Sequence, residues 1–151
     1  MLNASIVLYN PNWKQVVSLT NIILQTEGID CVYWIDNSPI QIDELPISSN
    51  KVKYVFNNKN IGYGAAHNIA IRESIYDDIP FHLIINPDII LTPDTITTLL
   101  QFIQPYPEIG MVAPKVVYPN GELQYLCKLL PTPLDVFGRR FLPKSWIKKR
   151  N

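Results

Sequence analysis

At 151 residues, with 47% apolar and 17% charged side chains, the chain reads as one globular domain and not as a disordered segment. A core of that size needs neither disulfides nor a structural metal. Net charge is zero but uneven: up to Asp135 there are seven basic and 13 acidic residues, and six basic residues follow with no acid. An acidic body with a basic tail excludes a general nucleic-acid binder. It predicts at most a peripheral contact between the tail and an anionic membrane surface. Cys31 and Cys127 show no metal-ligand spacing, and Met1–Ser5 has no basic stretch leading into an apolar run. The expectation is a cytoplasmic chain with reduced thiols.

In chain order, short apolar runs alternate with helical patterns, which predicts an α/β domain with a mainly parallel sheet flanked by helices. The first strand is expected over Ser5–Tyr9, stopped by Asn10-Pro11. Asn12 is positioned to cap a helix carrying Val16, Leu19, Ile23 and Leu24, with Gly28 as its stop. A second strand covers Cys31–Asp36, and residues 39–50 read as a loop with room for a turn of helix. Val52–Phe56 is the third strand, followed by Asn57–Asn60 and the segment Ile61-Gly62-Tyr63-Gly64. A helix then starts near Ala65 and runs towards Ile75, and Phe81–Ile85 is the fourth strand. Thr92-Pro93-Asp94 is a helix start with a capping hydroxyl, and Ile96, Leu99, Leu100 and Ile103 form its apolar face. Met111–Tyr118 predicts another strand, with Pro114 implying an edge or a bulge, and Pro119-Asn120-Gly121 a turn into a strand near Glu122–Gln124.

In open α/β sheets, ligands bind at the carboxyl ends of the strands. Four such ends here are polar: Tyr9-Asn10, Asp36-Asn37-Ser38, Asn57 to Gly64, and Asn86-Pro87-Asp88. Asp88 follows an apolar strand and is a candidate oxygen ligand for a divalent cation beside a diphosphate, or else a turn residue capping backbone amides. Gly62 and Gly64 permit close backbone approach to an anion at a helix start, or simply make a tight turn. The segment is not a Walker A loop, because no Gly-Lys-Ser/Thr follows. Asp36 is placed to accept hydrogen bonds from a ribose or base, or to close an Asx turn into Ser38-Pro39. His67 and His82 are weak candidates for a catalytic base.

Taken in order, these motifs resemble family 2 glycosyltransferases, in particular the rhamnosyltransferase-like branch. The matching residues are Ile6–Asn10, Ile35–Ser38, Asn58–Asn68, Leu83–Asp88, Met111–Lys115 and Tyr118–Gln124. The resemblance implies a GT-A fold with a Rossmann-like sheet, a nucleoside diphosphate sugar as donor, and inverting transfer to a glycan or lipid-linked acceptor. It implies that Tyr9 and Asp36 contact the nucleoside with Asn10 nearby. Asn60 and Gly62 would lie beside the donor, and Asn86-Pro87-Asp88 would stand in the place of the Asp-x-Asp motif. Asp88 would then hold Mg²⁺ or Mn²⁺, with Asn86 in place of the first aspartate. The branch suggests thymidine diphosphate rhamnose (dTDP-rhamnose) as donor.

The chain departs from the family in one respect. The segment that supplies the catalytic base is not found; Glu122 and Asp135 are the only acids after Glu108. The expectation is a truncated enzyme, inactive alone, with residues 1–124 as the donor-binding half and 125–151 as a linker or basic tail. A non-catalytic nucleotide-sugar-binding module acting with a partner chain shares the same motifs. A dinucleotide-dependent oxidoreductase is disfavoured by the absence of Gly-x-Gly-x-x-Gly after the first strand.

Overall fold

In a computed structural model the described residues are 1–124, and the basic tail expected to meet a membrane lies outside them. The elements run β1 (Leu2–Leu8), α1 (Trp13–Leu24), β2 (Ile29–Asp36), β3 (Val52–Phe56), α2 (Tyr63–Tyr76), β4 (Phe81–Ile85) and α3 (Pro93–Ile103). The four strands form one parallel sheet in the order β3-β2-β1-β4. The expected mixed α/β fold with a parallel sheet and flanking helices is therefore present.

The alternation of side chains along β1 and β2 sorts the core into two faces. Leu2, Ala4, Ile6, Leu8, Val32 and Trp34 meet Val16, Leu19 and Ile23 of α1 and Ile96 of α3. Val7, Cys31, Tyr33 and Ile35 meet Ala66 and Ala70 of α2. Both faces of β1 are buried along its whole length, as parallel sheets require. Trp34 is fully buried, and its indole Nε1 donates to Thr20 Oγ1 at 3.0 Å. That bond satisfies the one polar atom of the largest core side chain.

β1 starts three residues earlier than its apolar run implies. Asn3 is tolerated inside the sheet because its Oδ1 accepts from Cys31 N at 3.0 Å and its Nδ2 donates to Ser74 Oγ at 2.9 Å. Parallel pairing with the longer β1 draws Ile29 into β2 opposite Leu2. Asn12 caps α1 as expected, accepting from Gln15 N. The helix ends at Leu24, however, with Gln25 as its C-cap, and Gly28 (φ 81°) instead makes the turn into β2. α2 begins at Tyr63, not near Ala65, so Gly64 lies inside it. Thr92 Oγ1 bonds Thr95 Oγ1 at 2.7 Å and caps no backbone amide. Residues 39–50 contain no helical turn.

The chain divides into two units, Met1–Val112 and a second beginning at Ala113. In the second, the expected strand over Met111–Tyr118 is reduced to one antiparallel bridge, Val117 with Leu123. Pro114 has no N–H for a ladder, and no partner strand faces this segment among the described residues. The turn itself is as expected: Gly121 N donates to Tyr118 O at 2.8 Å, with Gly121 at φ 85°. Among the described residues, no helix is long and apolar enough to cross a membrane.

Candidate functional site

The strand order creates the site. From β1 the chain turns to β2 through α1, whereas β4 joins the opposite side of β1 after α2 has crossed the sheet. The strand order therefore reverses at β1, and the gap beyond the carboxyl ends of β1 and β4 is a topological switch point. A cleft of about 500 Å³ opens there, with Tyr9, Asn10 and Asn12 on one side and Asn86, Pro87 and Asp88 on the other. Asn37, Asn60 and Tyr63 also line it. A second recess of about 390 Å³ shares Asn10 and Pro11 and is lined by Asp36, Ser38 and the Ile40-Gln41-Ile42 stretch. The two recesses together bring all the expected site residues except Gly62 into their linings. Gly62 borders the first through Asn60 and Tyr63.

Asn10 takes a left-handed conformation (φ 47°), and its N–H donates to Ser38 Oγ at 2.8 Å, joining the ends of β1 and β2. Asparagine tolerates this region better than most residues. Asp36 is only 1% exposed. Its Oδ1 accepts from Ser38 N at 2.8 Å, so the Asx turn exists, and its Oδ2 accepts from Tyr54 Oη–H at 2.7 Å. Burial and the Asp36 carboxylate together push the Tyr54 phenol upward, so it stays a donor. Each carboxylate oxygen keeps a lone pair beyond these bonds.

A chain of amides shapes the loop before α2. Asn57 Nδ2 donates to Asn37 Oδ1 at 2.9 Å, and Asn37 Nδ2 reaches Asn60 Oδ1 at 3.4 Å. Asn60 Oδ1 also accepts from Gly62 N at 2.9 Å. Asn60 is thus turned towards its own loop. Gly62 sits at φ 88°, ψ 159°, a region only glycine enters freely, and it offers α2 no side-chain cap. Gly62→Ala is expected to cost about 1–3 kcal/mol by chemical denaturation, the cost of holding a side chain in that region. A Cβ there would meet nothing within 4 Å, so the penalty is conformational and not steric. Gly64, inside the helix and equally unobstructed, is the control: Gly64→Ala should stabilise by up to about 1 kcal/mol.

At the end of β4, Tyr63 Oη–H donates to Asn86 Oδ1 at 2.8 Å. Burial and the nearby Asp88 charge raise the Tyr63 phenol, keeping that proton in place. Asp88 is exposed and makes no side-chain hydrogen bond among the described residues. No group of three or more His, Cys, Asp or Glu side chains could cage a metal among the described residues. One free carboxylate is still a fitting donor for Mg²⁺ or Mn²⁺. Mg²⁺ in particular is held by one or two carboxylates and completes its shell with phosphate oxygens and water.

Asn37, Ser38 and Tyr63 lie within the polar strand-end segments that the sequence marks, without an individual role there; Tyr54 carries no sequence signal, since its partner Asp36 is 18 residues away. His67 and His82 are not at the cleft surface. His67 is 2% exposed, and its Nδ1 lies 2.7 Å from Ser5 Oγ, which lies 2.7 Å from His82 Nε2. His82 Nδ1 lies 2.7 Å from Ser74 Oγ. This is a structural network between β1, β4 and α2.

These features (a parallel sheet, a cleft at its switch point, an acid after the fourth strand) agree with the comparison to known families. The chain matches the model of glycosyl transferase family 2 over residues 19–144, most of its length. No curated protein and no solved structure matches it. The matched span includes Asp36, the Asn60–Gly62 loop and Asn86-Pro87-Asp88, and on that breadth the chain belongs to glycosyl transferase family 2.

Proposed function

We propose that this glycosyltransferase chain binds a nucleoside diphosphate sugar in the cleft between β1 and β4, with residues 1–124 as the donor-binding part. The supporting observation is the meeting of Asp88 and Asn86 with Tyr9 and Asn10 across one cleft, beside the recess that holds Asp36. The nucleoside would lie towards Tyr9 and Asp36, an aromatic ring in one recess and, in the other, a carboxylate whose oxygens keep lone pairs beyond their described bonds. The diphosphate would lie towards Asp88, with the Gly62 backbone and the first-turn N–H groups of α2 close to the donor. Asp88 would hold Mg²⁺ or Mn²⁺, which neutralises charge on a departing diphosphate.

On the same reading the donor is dTDP-rhamnose, the branch rhamnosyltransferase-like, and transfer to a glycan or lipid-linked acceptor proceeds with inversion. Asp36 and Asp88 are the only carboxylates lining the two recesses among the described residues. Asp36 is committed to its turn, so no described residue is assigned the acceptor's proton. A cytoplasmic setting, with the basic stretch after Asp135 touching an anionic membrane face, is proposed on charge pattern. The test is calorimetry with thymidine and uridine diphosphates and the matching monophosphates, in Mn²⁺ and in chelator. Diphosphate should bind more tightly than monophosphate, and only with the metal. Equal affinity of the two, or indifference to chelator, would refute the reading.

A further inference from the structure

Tyr63 links α2 to the turn after β4, a link that no other side chain lining the cleft makes by a hydrogen bond among the described residues. It is the first residue of α2, and Gly62 before it fixes the direction in which the helix starts. Its hydroxyl donates to Asn86 Oδ1 at 2.8 Å, 23 residues further along the chain. Its ring stands edge-on to the His67 ring, with centroids 4.4 Å apart and planes at 75°. His67 is in turn held by Ser5 of β1, and Ser5 by His82 of β4. Tyr63 is therefore tied through His67 to the two strands whose carboxyl ends border the cleft, and its hydroxyl reaches the turn that carries Asp88.

The Asn86 amide is set with Oδ1, and not Nδ2, towards the Tyr63 hydroxyl. With Oδ1 engaged by a donor, Nδ2 carries two hydrogens and has no side-chain partner among the described residues. Asn86 lines the cleft two residues before Asp88. An amide N–H₂ at that place offers neutral donors to an anionic oxygen, where a carboxylate would repel one. We propose that Tyr63 is a positioning residue for phosphate recognition: it locks the Asn86 amide with Nδ2 towards the diphosphate, while touching neither metal nor sugar itself. This rests on the donor site proposed above.

A residue that acts through another has a definite thermodynamic signature. Tyr63→Phe keeps the ring, its contact with His67 and the start of α2, and removes only the hydroxyl. A neutral hydrogen bond of this kind corresponds to about a two- to ten-fold change in affinity. Calorimetry would use thymidine or uridine diphosphate, whichever the unsubstituted chain binds more tightly, in Mn²⁺. Four proteins are compared: the unsubstituted chain, Tyr63→Phe, Asn86→Ala and the double variant. Tyr63→Phe should weaken binding, and the double variant should bind no more weakly than Asn86→Ala alone, because contacting residues couple. Thermal melts of all four should agree closely, separating orientation from loss of fold. Unchanged affinity in Tyr63→Phe, or effects that multiply in the double variant, would overturn the positioning role. If the unsubstituted chain binds neither diphosphate, the donor-site reading fails first and takes this one with it.

Discussion

Asp88→Ala is expected to abolish the metal dependence of nucleoside diphosphate binding, lowering affinity in Mn²⁺ by about 10- to 100-fold. That range corresponds to about 1.5–3 kcal/mol, the scale of an interaction made to a charged group. The size follows from the composition of the cleft, in which Asp88 is the one carboxylate among otherwise uncharged polar and apolar residues. Among the described residues no second acid lines this cleft to replace it as a hard oxygen ligand. Because Asp88 is exposed and supports no described hydrogen bond, the variant should melt within about 0.5 kcal/mol of the original. Calorimetry in Mn²⁺ and in chelator checks the point, and an affinity in Mn²⁺ equal to that of the unsubstituted chain would remove the metal role. Asn86→Asp gives the complementary result. A carboxylate at 86 still accepts the Tyr63 hydroxyl and adds a charge, so Mn²⁺ should bind more tightly than to the original, even without nucleotide.

The second large effect is a loss of stability in mild acid. His67 and His82 are both pushed down to about 4 by burial, His82 further by the neighbouring His67. Their hydrogen bonds explain why the neutral forms are preferred. If Ser74 donates to Ala70 O at 3.1 Å, His82 Nδ1–H donates to Ser74 and Ser5 donates to His82 Nε2. His67 Nδ1–H then donates to Ser5, and every bond is made with both rings uncharged. His67 Nε2 is left buried without a partner among the described residues, so a proton added there would have no acceptor.

An unfolded chain takes up these two protons around pH 6.5, whereas the folded one resists until about 4. Stability is therefore complete above pH 6.5 and falls as pH drops towards 4. The His82 ring is part-exposed, which lessens its share. A fall in melting temperature on the order of 10 °C between pH 7.5 and 5 is expected, from about 2 kcal/mol. Most carboxylates titrate below that range, so the histidines dominate it. His82→Gln retains a donor and an acceptor but cannot titrate, and its melting temperature should vary less with pH. A pH profile parallel to that of the unsubstituted chain would show that the network does not carry the effect.

Much of the fold was readable because it is local. Val52–Phe56 and Phe81–Ile85 coincide with the observed strands since their apolar runs are bounded by polar or proline-containing stops. Asn12 was readable as a cap because capping depends on residues three apart. The errors fall where a distant partner overrides local preference. Asn3 looks unsuited to a strand until Ser74 and the Cys31 amide are brought beside it. Met111–Tyr118 looks suited to one but has no strand to pair with among the described residues. Gly64 resembles a loop residue beside Gly62, yet only Gly62 has the backbone angle that demands glycine.

The candidate site divides along the same line. That Tyr9, Asp36, Asn60 and Asp88 stand at or just beyond strand ends is a one-dimensional property of apolar runs and their stops, and the order of those motifs carries the family. Which of them face one another is not, because strand order is not written in strand identity. Only the arrangement β3-β2-β1-β4 brings Tyr9 and Asp88 to one cleft and Asp36 to the recess that shares Asn10 and Pro11 with it. The bonds from Tyr54 to Asp36 and from Tyr63 to Asn86 span 18 and 23 residues. No periodicity reports such pairs, since the first depends on β3 pairing with β2 and the second on α2 and β4 meeting at one end of the sheet.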